Sequence, residues 1–179
     1  MTNEQIEKSI KTKELQLGMW DKLTHYGLVL FLFFIPIMFI VMSVNPLLHG
    51  NFTGFDVIIW FILIPTGVGL LFYKVQKGRL KFTLIEANLP RTILNSTIEN
   101  VAKELNWTFK KVDEKIVIAQ TNPGLLSGSW GEQITILFNK NQILVNSICD
   151  PDKKSSVVSA GRNKKNVSAL IDGIKNANH

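Results

Sequence analysis

The sequence predicts a membrane α-helical hairpin of two transmembrane helices followed by a small α+β cytosolic domain. The domain order is α-β-β-β-β-α, an antiparallel sheet with two helices on one face. Three observations carry this reading. No Lys, Arg, Asp or Glu occurs between Lys22 and Asp56. Two apolar runs, Tyr26 to Val44 and Val57 to Tyr73, lie in and just after that gap. Beyond residue 88 the apolar residues change from helical spacing to alternation and back. The expected divisions are therefore 1–22, 23–73, 74–87 and 88–179.

Residues 1–22 form an N-terminal amphipathic segment. Ile6, Ile10, Leu17 and Trp20 share one helical face, and Thr2 with Gln5 has the spacing of a capping box. A solvated helix and a helix lying on the inner leaflet both satisfy this pattern. Glu4, Glu7 and Glu14 offset the nearby lysines, so attraction to anionic lipid would be weak.

The hairpin occupies 23–73, with spans at about 26–44 and 57–73. As helices these runs extend about 28 and 26 Å, against a hydrocarbon core of about 30 Å. Neither run has a polar face, and the rest of the chain is too small to wrap both as a soluble core. Lys8, Lys11, Lys13 and Lys22 precede the first span, and Lys74, Lys77, Arg79 and Lys81 follow the second; the connecting loop has no Lys or Arg. Both termini are thus expected in the cytoplasm, and the bacterial cytoplasmic membrane is the expected location. Pro36 and Pro65 interrupt the spans, and Thr66, Gly67 and Gly69 leave one side of the second nearly bare for close helix packing. A pore would want ionisable residues at depth, and none occurs there, so an anchor is preferred to an oligomeric channel.

Residues 74–87 read as a basic juxtamembrane linker in which Lys74, Lys77, Arg79 and Lys81 contact the membrane surface. Leu80, Phe82 and Leu84 alternate within it, as in a short strand or an extended connector.

The cytosolic α+β domain, 88–179, is expected to fold as its own unit. Leu94, Ile98, Val101 and Leu105 recur at helical spacing after Pro90. Strands "WTFKKV" and "KIVIAQT" flank an Asp113-Glu114 turn, and "EQITILFN" and "QILVNSIC" flank Lys140-Asn141, with Ile134, Ile136 and Phe138 on one face. A closing helix follows Asn163, with Val167, Leu170, Ile171 and Ile174 at its apolar spacing.

Catalytic chemistry finds little support, so no catalytic residue, metal site or cofactor is expected. His25, His49 and His179 are scattered along the chain. Cys149, the single cysteine, falls on an apolar strand and reads as a buried core thiol. Asp150 and Asp152 are followed at once by Lys153 and Lys154, a pattern read as a salt-bridged turn. No phosphate-loop or dinucleotide glycine pattern occurs.

Two loops carry candidate binding residues. Leu125, Leu126 and Trp130 either fold back over the sheet edge or contact a partner or membrane surface. "GRNKKN" puts Arg162, Asn163, Lys164 and Lys165 at a helix start, where cations oppose the dipole. An anion would relieve that conflict, with water screening as the alternative. Nucleic acid is disfavoured, because no exposed aromatics cluster beside the patch.

The sequence therefore favours a non-enzymatic integral membrane protein whose cytosolic domain is an interaction or regulatory module. Its partners would be membrane lipids and a membrane or cytosolic protein, or a second copy of itself. The alternative is a membrane-tethered sensor that binds an anion or anionic lipid head group through the basic loop.

Overall fold

A computed structural model of the chain describes residues 1–50, 53–124 and 128–178. It opens with α1 (Asn3–Thr12), followed by two long helices, α2 (Met19–Leu48) and α3 (Phe55–Arg79). The domain then runs β1 (Thr83–Glu86), α4 (Arg91–Glu104), β2 (Trp107–Val112), β3 (Ile116–Thr121), β4 (Glu132–Asn139), β5 (Gln142–Cys149) and α5 (Arg162–Ala177).

Helices α2 and α3 are long and apolar enough to cross a membrane. Only 17% and 6% of their most apolar windows are buried within the protein, where a soluble core helix would be mostly covered. They pack against each other through stacked Phe39 and Phe61 rings, 4.7 Å between centroids. Farther along α3, Gly69 lies against Phe33, and a Cβ there would approach that ring within 3.3 Å. Gly67 meets nothing.

The sheet has five strands in the order β1-β5-β4-β3-β2, all antiparallel. Four were expected; the fifth is β1, which comes from the stretch assigned to the linker. Its Ile85 pairs with Ile143 and joins the core, while Phe82 just before it is buried on the opposite face. The alternation of Leu80, Phe82 and Leu84 thus marks a short edge strand, in which Ile85 is buried while Leu84 stays partly exposed.

Helices α4 and α5 share one face of the sheet. Leu94, Ile98, Val101, Leu170 and Ile174 meet Val117, Ile134, Ile136 and Val145 there. The other face is not bare. Ile6 of α1, with Leu15 and Leu17 beyond it, packs on Ile116, Ile118, Leu137, Leu144 and Ile148. The N-terminal segment is therefore a lid that lays one apolar face on the sheet, while most of the remaining α1 residues are exposed. The capping box forms as expected, with the Thr2 amide donating to Gln5 Oε1 at 2.8 Å. The helix ends at Lys13 in the left-handed region, and the arm then pairs with the α3–β1 junction, where the Leu15 amide donates to the Leu80 carbonyl at 2.7 Å. Leu17 and Trp20 fall outside α1, and Trp20 is exposed on α2.

Candidate functional site

A cleft of about 340 Å³ opens where the end of α3, the start of β1, the middle of β5 and the first turns of α5 meet. β1 covers β5 only as far as Val145, which leaves the edge from Asn146 onward to this cleft. Its polar wall is Arg79, Lys81, Asn146, Ser147, Asn163 and Lys164, with Val145, Val167 and Ile171 as apolar floor; no acidic residue lines it.

The cleft draws its three cations from two patches that the sequence kept apart, two from the first and one from the second. Arg79 and Lys81 belong to the expected membrane-surface set, and Asn163 and Lys164 to the basic helix start. The other members do not join them. Lys74 and Lys77 are exposed earlier on α3, and Arg162 and Lys165 point elsewhere, each helical step turning a side chain by about 100°. Leu125 and Leu126 lie outside the described residues. Trp130 is half exposed, and the Lys154 ammonium sits 4.3 Å over its ring.

Asn146 fixes the cleft's geometry. Its side chain is 2% exposed. Nδ2 donates to the carbonyls of Arg79 at 2.7 Å and Lys81 at 2.9 Å. Both amide protons are thereby used, which orients the group and leaves Oδ1 buried without a partner. Asn163 has the complementary deficit. Its Oδ1 accepts from Ser147 Oγ at 3.1 Å, and its buried Nδ2 has no acceptor. Ser147 in turn accepts from Asn166 Nδ2 at 3.1 Å, and Asn166 Oδ1 accepts from Trp107 Nε1 at 3.3 Å. Two residues of the cleft wall thus each keep one buried polar atom unpaired, a donor on Asn163 and an acceptor on Asn146.

Its electrostatics are one-sided. Among the described residues the ion pairs are those of Lys110 with Asp150 and Asp152 and of Lys111 with Asp113. Arg79, Lys81 and Lys164 therefore keep their charge unneutralised. The α5 N-terminus adds the positive end of its dipole; Gly161, at φ 77°, supplies no side-chain cap, and the first turn holds no acid.

Other candidates resolve as structure. The acids Asp150 and Asp152 pair with Lys110 on β2, not with Lys153 and Lys154; Lys153 instead reaches Asn122 Oδ1 at 2.8 Å and the Thr121 carbonyl at 3.1 Å. Local sequence spacing pointed to the neighbouring lysines, whereas the sheet brings a distant strand closer. Cys149 is buried, and desolvation pushes its thiol up from the usual range. Glu132 is buried and accepts hydrogen bonds from the hydroxyls of Thr121 and Ser129, which ties the β3–β4 loop closed. His25 is buried against Gln76, and His49 donates back to its own helix at Asn45; His179 lies outside the described residues. No group of three potential metal ligands converges among the described residues.

Sequence reasoning missed Asn146, Ser147 and the joint between hairpin and domain. A polar pair inside the otherwise apolar strand "ILVNSIC" was the available signal. No family model matches the chain, and no curated protein matches it significantly.

Proposed function

We propose that this protein is a non-enzymatic, membrane-anchored regulatory module whose cytosolic domain binds a phosphate-bearing anion in the cleft between α3 and α5. The hairpin α2–α3 is its anchor in the bacterial cytoplasmic membrane, with both termini cytoplasmic, because the flanking cations lie at the two outer ends. The observation that carries the reading is the convergence of three unneutralised cations on a concave surface that no carboxylate lines. The orphaned Asn163 Nδ2 would donate to an anionic oxygen, and the orphaned Asn146 Oδ1 would accept from a hydroxyl of the same ligand. A phosphate ester with a neighbouring hydroxyl satisfies both; a lipid head group and a soluble sugar or glycerol phosphate share that chemistry.

The cleft rests on the carbonyls of Arg79 and Lys81, at the junction between hairpin and sheet. Occupancy there bears directly on how α3 enters the domain, which makes regulation a better fit than storage or catalysis.

Calorimetry on the full chain in zwitterionic nanodiscs, titrated with glycerol phosphate and with inorganic phosphate, tests the proposal. Binding should weaken steeply as salt rises. A parallel set of nanodiscs containing a phosphatidylinositol phosphate separates the lipid source from the soluble one. Absence of binding to all of these probes would overturn the reading.

A further inference from the structure

The loop between β5 and α5 touches the hairpin at a defined height. Ser155 Oγ accepts from the Leu28 amide at 3.1 Å, and Gly27 permits the approach, since a Cβ there would stand 3.1 Å from that hydroxyl. Leu28 is six residues beyond Lys22, the last charged residue before the apolar run, and so about 9 Å farther along α2. Tyr26 and Tyr73, whose rings lie 5.7 Å apart, mark the same level on the two helices, as interfacial aromatics do. Next to Ser155 is Lys154, whose ammonium covers the ring of Trp130. Trp130 is 49% exposed, and Val158, three residues past Ser155, is 62% exposed.

From this chain of contacts we infer that Trp130, Lys154 and Val158 form a second membrane contact, seated in the head-group layer of an anionic cytoplasmic leaflet. The inference rests on the membrane anchoring proposed above and is independent of the anion cleft. The chemistry fits that layer on both counts. An indole prefers the interface between hydrocarbon and water, and a lysine beside it is attracted to anionic lipid. A domain so seated is held by its loop as well as by α3, which fixes its tilt against the bilayer.

The test uses tryptophan quenching by the full chain in anionic nanodiscs, made with lipids brominated near the head-group end of the acyl chain. The contribution of Trp130 is the difference between the parent and Trp130→Phe. That of Trp60, exposed on α3, is the difference between the parent and Trp60→Phe. Both contributions should be quenched by brominated lipid, and Trp130 should be shielded from aqueous iodide. Lys154→Gln, or zwitterionic lipid, should return Trp130 toward iodide exposure and leave Trp60 unchanged. Trp60 quenched by lipid with Trp130 open to iodide would overturn this inference alone. Trp60 untouched by brominated lipid would overturn the membrane anchoring and the inference with it.

Discussion

Gln76 and His25 hold each other reciprocally: the Gln76 side-chain amide donates to the His25 carbonyl at 2.8 Å, and His25 Nε2 donates to the Gln76 carbonyl at 3.1 Å. The same Gln76 amide also reaches the Ser156 carbonyl at 3.1 Å, so one buried side chain links both long helices to the domain's loop. Gln76→Leu keeps the volume and deletes both donations. We expect it to lower stability by about 1–3 kcal/mol, the usual cost of stranding buried polar groups. The thermal midpoint in mild detergent should fall, and proteolysis between residues 80 and 82 should accelerate. A variant indistinguishable from the parent in both measurements would show that the joint is held by packing alone.

The domain boundary carries a second prediction. A fragment from Asn88 lacks β1, Phe82 and the arm that bears Ile6, Leu15 and Leu17. It would leave Ile116, Ile118, Leu137, Leu144 and Ile148 facing water. Each large apolar side chain uncovered forfeits about 1.5–3 kcal/mol, a total beyond the stability of a domain this size. The fragment should therefore aggregate or unfold without cooperativity, judged by circular dichroism through a urea titration. Cooperative unfolding of residues 88–179 alone would show that the arm is dispensable.

Much of this fold was legible in the sequence because it depends on periodicity. The two apolar helices, α4, the two hairpins and α5 all follow from spacing within short windows. The lid was not, because its three anchoring residues are spread over a broken helix and an extended arm. A clue did exist: "IVIA" in β3 and "ILV" in β5 are apolar at consecutive positions, as strands covered on both faces are. The cleft was half legible. Its cations stood out as charge clusters, but their convergence depends on the long-range register that sets Asn146 beside Arg79 and Lys81.

Ile136 is 0% exposed between the sheet and its two helices. Ile136→Asp places an unpaired carboxylate there, which costs several kcal/mol. Cooperative thermal unfolding of the full chain should disappear, while Val112→Asp, on the exposed end of β2, should leave it within about 0.5 kcal/mol of the parent. Equal effects from both would mean that the β2 edge is covered by another molecule.

Cys149 supplies a chemical reading of the same core. Its thiol is raised by burial, so the folded state holds the proton at pH values where an unfolded chain has begun to release it. Its contribution to stability is therefore present below the unfolded thiol's range and lost as pH rises through the folded value. Alkylation should be slow in the native chain and rapid in urea. Fast native labelling at neutral pH would contradict the burial.

The cleft's own residues give the sharpest test of the proposed function. Arg162 and Lys165 flank Asn163 and Lys164 in sequence but do not line the cavity, so charge count and position can be separated. Arg162→Gln with Lys165→Gln should keep phosphate binding near the parent's level. Arg79→Gln with Lys164→Gln removes the same number of charges and should abolish it. Each Lys-to-Gln change in the first turn of α5 also relieves a cation set against the helix dipole, so both variants should hold or gain up to about 0.5 kcal/mol without ligand. Asn163→Leu should weaken binding without altering its salt dependence, because it removes a donor and no charge. If both double variants lose binding equally, diffuse positive potential is responsible and the cleft is not a site. If the cleft variant loses stability as well, Arg79 and Lys164 hold the fold together, and the case for an anion falls.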